Sequence, residues 1–484
     1  MVGAYGAIFG AVFFLLDLRW VYGTLIMHGH FPPGPALAVY LGLVLFLALY
    51  PAAFGFLVAL VREAGIRPTT AAPFVWTGLE YLRGVLFTGF PWDLAGYSQA
   101  HLLPIMQIVD VTGVYGVSFA VVLVSGAVWE VLRFAVTRES MPWRTVGAAA
   151  MVLLVILAYG KIRIRDFPTG GEANPHTALG VLQGNIPQAL KWDPATRDHT
   201  FSTYQKLGRT AVERGATFLV WPETSAPVLY GSHDLDWKQP GKISELLGVP
   251  MLVGAPSLKR VDRETQYYNS AFLIDGAMIR YRYDKIHLVP FGEYMPLSWL
   301  LPLGPGIAAR EADYSPGATM TVMHSGNCPP FSVLVCYEAI FPDLARLAVR
   351  NGARLLINIT NDGWFGDTGA PYQHLNMAGV RAIENRVWLI RAANTGISAA
   401  FDPAGRLSRH LPLDEEGVFT VNVSAPANVG SLYSRVGDVF AWGCLGTCLL
   451  MGMSLVCRRF RGGTGRMHVP PSPVGPASRR STTK

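Results

Sequence analysis

The sequence predicts a multi-span α-helical membrane bundle joined to an extramembrane α/β domain. Of its 484 residues, 51% are hydrophobic and only 15% are charged, whereas a soluble globular domain carries about 25% charged residues. The mean hydropathy is +0.29, so part of the chain belongs in lipid. Long apolar segments flank a central region in which short apolar runs alternate with helix-like segments, and such alternation is typical of layered α/β domains.

Several apolar segments are candidate membrane spans. A helix of about 20 apolar residues crosses the hydrocarbon core of a bilayer. We therefore assign residues 1–165 to membrane helices and residues 437–457 to a C-terminal transmembrane helix. The predicted spans are 5–27, 36–61, 70–89, 114–136, 145–160 and 437–457.

The predicted span at 70–89 contains two charged residues, Glu80 and Arg83. Residues three apart lie on one face of a helix, so we expect these two side chains to form a buried ion pair within the bundle. The alternative is that they contact a lipid headgroup or the α/β domain.

Loop charges predict the orientation of the bundle. The loops at 62–69 and 137–144 contain arginines, whereas the loops at 28–35 and 90–113 contain neither Lys nor Arg. Basic loops favour the cytoplasmic side, which places the loops without Lys or Arg, and the α/β domain, outside. Three basic residues within 161–165 oppose this assignment, but the alternation of the other loops supports it.

The central region, residues 176–428, is predicted to form one α/β domain. Its short apolar runs, such as ATFLVWPE and FSVLVCYE, alternate with helix-like segments at 195–214, 338–350 and 371–387. The tail at 460–484 is rich in Gly, Pro and Ser, and we expect it to be disordered on the cytoplasmic side.

Charge and cysteine content exclude some classes of function. The net charge is +7 and the pI is about 9.1, but much of the excess lies at helix ends and in the tail. Because no basic groove interleaved with aromatic residues is visible, nucleic-acid binding is not expected. The five cysteines give no disulfide framework, and we expect Cys336 to be a free thiol.

Three chemically active residues lie near the ends of apolar runs. Glu223 follows ATFLVWP, Lys285 follows YRYD, and Cys336 follows FSVLV. Folds of the α/β class place their sites at the carboxyl ends of strands. There a thiol can act as a nucleophile, a carboxylate as a base and an ammonium as a stabilising charge. Taken singly, a Glu at a strand end is usually a solvated capping residue, and a lone Lys is usually a charged residue on the surface.

The motifs around these residues resemble a known family. WPE, DKIHLVPFGE and CYE resemble the Glu–Lys–Cys triad of the nitrilase superfamily of carbon–nitrogen hydrolases, which implies an αββα sandwich. QGNIPQALKWD at 183–193 and NDGWFGDTGAPYQH at 361–374, which follow several spans, resemble the bacterial apolipoprotein N-acyltransferase family.

This resemblance implies transfer of a fatty acyl chain from a phospholipid to the N-terminal amine of a diacylglyceryl lipoprotein. Cys336 is expected to form a thioester, Glu223 to accept protons, and Lys285 to stabilise the thiolate and the oxyanion. The resemblance also implies a monomer in the bacterial inner membrane, with the catalytic domain on the periplasmic face. It implies neither cofactor nor metal.

Four further residues match the motifs of the family. Glu293 is expected to orient Lys285, and Glu338 to hold the loop after Cys336. Tyr337 is expected to supply a backbone N–H to the oxyanion site and its ring to a pocket wall. Trp192 resembles a tryptophan associated with the lipid site, although a core aromatic residue is an alternative.

One departure from the family pattern concerns the membrane arm. The family has eight membrane helices, and the segment at 5–27 corresponds to the third of them, so we expect six spans here. Either translation starts upstream of Met1 or two helices are absent. The even difference leaves the predicted orientation unchanged.

His287 and His374 are the histidines of these motifs, and we expect hydrogen bonding rather than metal ligation from both. No His/Cys/Asp cluster with ligand spacing surrounds either residue. Asn361 and Asp362 end another apolar run, where they could shape the active-site loop or merely close a turn.

Two other functions share some of these features. A membrane-tethered nitrilase-type amidase would have the same triad, but it would not need the apolar loop at 291–307, which is typical of a segment that touches lipid. A non-catalytic membrane scaffold would not need Glu223, Lys285 and Cys336 all to be retained. A transporter is disfavoured by the large extramembrane domain.

Overall fold

The structure is a computed structural model of the chain. It describes most of the membrane-helix region and of the α/β domain. The predicted tail from residue 464 onwards and the part of the 291–307 loop that follows residue 295 lie outside the described residues. Those described are 1–138, 140–167, 177–232, 235–261, 264–295, 313–425 and 430–463.

The α-helices of the described residues fall into a group before the α/β domain, a group inside it and a pair after it. They are α1 (Val2–Asp17), α2 (Arg19–Met27), α3 (Pro33–Glu63), α4 (Pro68–Val85), α5 (Leu103–Met106), α6 (Val109–Thr112), α7 (Val114–Thr137), α8 (Trp143–Arg165), α9 (Arg197–Glu213), α10 (Gln239–Leu247), α11 (Pro342–Arg350), α12 (Ala370–Asn385), α13 (Leu432–Val436) and α14 (Val439–Gly463).

The strands form two six-stranded sheets, ordered β12-β1-β2-β3-β4-β5 and β11-β10-β9-β8-β7-β6. In the first sheet β1, β2 and β3 are parallel neighbours, and in the second β7, β8 and β9 are. The strands are β1 (Thr177–Gln183), β2 (Phe218–Val220), β3 (Met251–Val261), β4 (Glu264–Asp275), β5 (Met278–Asp284), β6 (Met323–Ser325), β7 (Cys328–Val335), β8 (Leu355–Thr360), β9 (Trp388–Ala393), β10 (Ser398–Phe401), β11 (Leu407–Leu411) and β12 (Gly417–Val423).

The helices outside the α/β domain confirm a multi-span membrane bundle. Among the described residues, α3, α7, α8 and α14 are each long and apolar enough to cross a membrane. Helices α1 and α2 meet at a bend of 48° and together make a fifth candidate span. Helix α4 lies at the predicted span 70–89 but does not pass the same test of length and hydropathy.

The predicted ion pair between Glu80 and Arg83 is wrong. Both side chains are buried on α4, but Glu80 Oε1 instead accepts a hydrogen bond from the backbone N–H of Ala95 at 2.7 Å. The Arg83 guanidinium lies 5.4 Å from the centre of the Phe14 ring. The prediction considered only the spacing of the two residues along one helix. The loop after the helix supplies a backbone N–H donor, and the Glu80 carboxylate accepts from that donor instead.

The two sheets pack face to face, and helices cover their outer faces. Side chains alternate across a strand, so Phe218 and Val220 of β2 face the other sheet while Leu219 faces α9. The Phe218 ring meets the ring of Phe331 on β7 edge to face at 5.5 Å. The predicted αββα sandwich is therefore confirmed.

The outer helices of the second sheet pack against the membrane bundle. From the loop after α2, the His28 ring lies 5.2 Å from the ring of Trp364. From the loop after α4, Trp92 Nε1 donates to Gln373 Oε1 at 3.0 Å. The two loops that lack basic residues thus both contact the α/β domain, in agreement with their predicted location on one side.

A buried carboxylate joins the bundle to the domain. Asp110, which is 2% exposed, accepts hydrogen bonds from Arg163 of α8 at 3.0 Å and from Arg386 at the end of α12 at 2.7 Å. Tyr159 donates to its other oxygen at 2.7 Å, and Gln107 accepts from Arg386 at 2.7 Å. The basic residue Arg163, which opposed the predicted orientation, therefore has a structural partner on this side.

Replacing Asp110 with Asn should destabilise the protein. The substitution leaves the buried Arg386 and the half-buried Arg163 without their shared counter-charge, and breaking a buried pair costs about 3–5 kcal/mol. We expect a loss of about 3 kcal/mol in the free energy of unfolding, measured in detergent by denaturant titration of tryptophan fluorescence.

The matched control is Asp275→Asn. Asp275 pairs with Arg280 at 3.2 Å, and both side chains are about half exposed, so the loss should stay below about 1 kcal/mol. Equal losses for the two variants would contradict the proposed role of the buried cluster.

Candidate active site

The three residues singled out from the sequence lie at the carboxyl ends of strands. Glu223 follows β2, Lys285 follows β5, and Cys336 directly follows β7. Lys285 Nζ is 3.9 Å from Glu223 Oε1, and the charges of both groups act on the Cys336 thiol. The facing sheets therefore bring the carboxylate, the ammonium and the thiol into one buried site.

The Lys285 ammonium is fully enclosed and held by Glu293. Lys285 is 1% exposed, and its Nζ lies 2.9 Å from Glu293 Oε1 and 2.8 Å from Oε2. Burial opposes the charge, but the Glu293 and Glu223 carboxylates outweigh it and hold the pKa of Lys285 above its ordinary value. Val289 N–H donates to Glu293 Oε2 at 2.8 Å, so the loop after β5 fixes this carboxylate.

The Glu223 carboxylate has one tethered oxygen and one free oxygen. Its Oε1 accepts from Asn269 Nδ2 at 2.7 Å, and the same amide donates to Glu293 at 2.9 Å. Its Oε2 is buried without a hydrogen-bond partner among the described residues. Burial raises the pKa of Glu223, and Lys285 opposes that rise. A carboxylate with a raised pKa and a free oxygen is suited to accept a proton.

The Cys336 thiol is buried. Burial and the Glu223 carboxylate raise its pKa, and the opposing effect of Lys285 is smaller. Lys285, which was expected to favour ionisation of the thiol, therefore does so only in part, and deprotonation of the thiol calls for a base. Cys336 also has a φ of +51°, a left-handed conformation that is uncommon for a residue other than glycine.

Glu338 is buried and connects the loops around the site. Its Oε2 accepts from Val335 N–H at 2.7 Å, and its Oε1 accepts from Tyr283 Oη at 2.8 Å and Ile286 N–H at 2.7 Å. Burial raises the pKa of Glu338 to about 7. The carboxylate thus ties the residue before Cys336 to the residue after Lys285.

The two aromatic residues predicted for the site differ in burial. Tyr337 is 8% exposed, and its ring packs edge to face on Phe341 at 5.1 Å and lies 5.8 Å from the His287 ring. Trp192 is 36% exposed. Tyr337 is therefore buried against Phe341 and His287, whereas Trp192 is not a core residue.

A second lysine lies in the site beside Glu223. Lys191 is 2% exposed, and its Nζ donates to the Glu223 carbonyl at 3.2 Å and to Thr224 Oγ1 at 2.5 Å. Burial lowers the pKa of Lys191 to about 8, against the charges of Glu223 and Cys336. Thr224 has a φ of +44°, so this ammonium ties down a left-handed turn next to the carboxylate.

The backbone around Glu223 is also tightly packed. A Cβ on Gly254 of β3 would lie 2.4 Å from the Pro222 carbonyl oxygen and 2.8 Å from Glu223 Cα. Only glycine fits there without displacing the loop that carries the carboxylate.

Lys191 and Asn269 were not among the site residues predicted from the sequence. Lys191 precedes the family-matched Trp192 in LKWD, and Asn269 interrupts the apolar strand β4. A single polar residue inside an apolar run was the available signal, since a buried polar group needs a partner.

The histidines of the motifs make hydrogen bonds and ring contacts. His374 bonds the Cys336 carbonyl and Asp362, each at 3.1 Å. His287 stacks on Phe341 at 3.8 Å, and burial together with Lys285 lowers the pKa of His287 to about 4. Among the described residues, no group of three or more His, Cys, Asp or Glu side chains could hold a metal ion.

Two family models match successive parts of the chain. Residues 2–127 match the profile of the apolipoprotein N-acyltransferase N-terminal domain, and residues 179–428 match the profile of the carbon-nitrogen hydrolases. A solved amidase from Nesterenkonia sp. is 22% identical, with a TM-score of 0.41, over 56% of this chain and 97% of its own.

Several relatives are more similar in sequence to this chain than the amidase is. The apolipoprotein N-acyltransferase of Geobacter metallireducens is 41% identical over 88% of this chain and 82% of its own length. Those of Rhodopseudomonas palustris and Brucella melitensis are 34% and 36% identical, over 89% and 86% of this chain and 82% and 79% of their own lengths. The chain belongs to the apolipoprotein N-acyltransferase family, membrane-embedded acyltransferases with a carbon–nitrogen hydrolase domain.

Proposed function

We propose that this chain transfers a fatty acyl group from a phospholipid, through a thioester on Cys336, to the N-terminal amine of a diacylglyceryl lipoprotein. The observation that carries the proposal is a buried Glu–Lys–Cys site in a domain packed on membrane helices. The segment at 361–374 connects them: Asp362 and His374 lie beneath Cys336, while Trp364 accepts a hydrogen bond from Thr24 of α2 at 2.8 Å.

In the first half-reaction, Glu223 Oε2 takes the thiol proton and Cys336 Sγ attacks the ester carbonyl carbon of the phospholipid. The C–S bond forms and the carbonyl oxygen becomes an oxyanion, which Lys285 and the Tyr337 backbone N–H stabilise. Collapse of this intermediate breaks the ester C–O bond. Glu223 returns the proton to the leaving oxygen, which releases a lysophospholipid.

In the second half-reaction, the lipoprotein amine attacks the thioester carbonyl. Glu223 accepts one amine proton and delivers it to Cys336 Sγ as the C–S bond breaks. The products are an amide and the free thiol. The pair Lys285–Glu293 keeps its net charge throughout, so each step moves one proton without creating an unpaired charge in the buried site.

The same proposal places the chain in the bacterial inner membrane as a multi-pass monomer, with the α/β domain on the periplasmic face. The absence of Lys and Arg from the two loops that contact this domain supports that orientation. The substrates would then be a periplasmic-leaflet phospholipid and an anchored lipoprotein.

Replacing Cys336 with Ala should abolish acyl transfer from phospholipid to a diacylated lipopeptide, because no thioester can form. Intact-protein mass spectrometry of the wild-type protein mixed with phospholipid should show an added acyl mass that hydroxylamine removes, and the Cys336→Ala protein should show none.

The matched control is Cys328→Ala, which removes the other buried thiol of the domain and should leave thioester formation intact. An acyl mass that persists in Cys336→Ala would overturn the mechanism. Amide hydrolysis by a wild-type protein that never gains an acyl mass would favour the amidase alternative.

The rate of thioester formation should fall above about pH 8. Lys191 is charged below its pKa of about 8 and neutral above it, so its hold on the turn after Glu223 weakens as the pH rises. Lys191→Arg keeps the charge and should move the decline to higher pH. The measurement is single-turnover acylation by phospholipid from pH 6 to pH 10.

Two further variants make this test specific. Lys191→Met lacks the charge at every pH and should show the slow alkaline rate already at pH 7. Lys206→Arg, a surface residue paired with Glu416, should keep the wild-type profile. An unchanged midpoint in a folded Lys191→Arg protein would refute the role of Lys191.

A further inference from the structure

The backbone at the nucleophile needs an external restraint. A left-handed conformation such as that of Cys336 is unfavourable for an L-residue and persists only where its surroundings enforce it. The peptide group between Cys336 and Tyr337 carries two functions: its carbonyl belongs to Cys336, and its N–H belongs to Tyr337. Because the group is planar and trans, the carbonyl and the N–H point in opposite directions.

The carbonyl side of this peptide is held by two buried donors. His374 Nε2 lies 3.1 Å from the Cys336 carbonyl oxygen, and Asn358 Nδ2 lies 3.4 Å from it. Both donors are fully buried. A carbonyl oxygen only accepts, so Nε2 carries a proton and donates to it.

A buried arginine orients both donors. Arg391 Nη2 lies 3.2 Å from His374 Nδ1, and the Asp362 carboxylate, which Arg391 also binds, lies 3.1 Å from the same ring nitrogen. Arg391 Nη1 donates to Asn358 Oδ1 at 2.5 Å, and Nη2 donates to the Asp362 carboxylate at 2.5 Å. Burial and the charge of Arg391 lower the pKa of His374, and the Asp362 carboxylate opposes that shift.

The remaining faces of the imidazole are covered by aromatic rings. Trp92, from the loop after α4, lies 5.8 Å from the His374 ring, and Phe365 lies 6.1 Å from it. The fully buried imidazole is thus shielded from solvent, and the restraint on the Cys336 carbonyl depends on His374 together with Asn358.

We propose that His374 is a positioning residue for acyl transfer, which fixes the Cys336–Tyr337 peptide so that the Tyr337 N–H points at the developing oxyanion. The inference rests on the proposed function in assigning that N–H to the oxyanion. His374 does not touch substrate; it acts through the carbonyl of the nucleophile. Its loss should therefore slow steps that form an oxyanion and spare reactions of the thiol that form none.

The test compares two reactions of Cys336 in the full-length protein in detergent. Acylation by a p-nitrophenyl acyl ester passes through an oxyanion, whereas alkylation by iodoacetamide does not. His374→Leu, which removes the donor at similar volume, should lower kcat for acylation about 100-fold, as loss of an oxyanion donor does. KM and the alkylation rate should stay within about twofold.

Two variants complete the series. His374→Gln keeps an N–H donor of similar reach. Its kcat for acylation should be at least about tenfold higher than that of His374→Leu. Asn358→Leu removes the longer hydrogen bond and should cost less than His374→Leu, which keeps the inference testable if the latter folds poorly. Equal losses in acylation and alkylation, or no loss in either, would overturn the inference.

This design separates the inference from the proposed function. If the wild-type protein is acylated by the p-nitrophenyl ester but not by phospholipid, the proposed donor is wrong while the role of His374 is still measured. If His374→Leu matches the wild-type protein with the p-nitrophenyl ester, the inference fails even if phospholipid is the donor.

Discussion

Complete burial of the Lys285 ammonium is the constraint on which the site depends. Removing an ion from water costs several kcal/mol unless close counter-charges replace the lost hydration. Glu293 supplies two oxygens within 2.9 Å, and Glu223 supplies a third at 3.9 Å. Asn269 bridges the two carboxylates. Because this cluster must be complete to be stable, the base is held in place before any substrate arrives.

Both reacting groups lie next to left-handed backbone turns, and a buried donor restrains each turn. Thr224, after Glu223, is held by Lys191, and Cys336 is held through its carbonyl by His374. A left-handed turn at a strand end can turn a side chain away from the sheet. It persists only if contacts with the neighbouring structure offset the unfavourable backbone conformation. The placement of Glu223 and Cys336 therefore depends on Lys191 and His374, to which the proposed mechanism gives no reacting role.

The alternation of apolar runs with helix-like segments predicted the layered fold, and the resemblance of WPE, DKIHLVPFGE and CYE to a known family singled out Glu223, Lys285 and Cys336, which the structure brings together. The sequence could not predict partners that come from other elements. Asn269 and Lys191 gave only the signal of a polar residue beside apolar ones, and their partner Glu223 lies more than 30 residues away in the chain. The prediction for Glu80 failed for the same reason: its partner is the backbone of Ala95, which helical spacing does not reveal.

Helix α12 links the membrane bundle to the nucleophile. His374 in its second turn bonds the Cys336 carbonyl, and Arg386 at its end bonds Asp110, which also binds Arg163 of α8. The two residues are roughly 18 Å apart along the helix at 1.5 Å per residue. A helix held at both ends fixes the position of Cys336 relative to the membrane bundle. Such an attachment favours a mechanism in which the lipid ester moves to Cys336 over one in which the α/β domain approaches the bilayer.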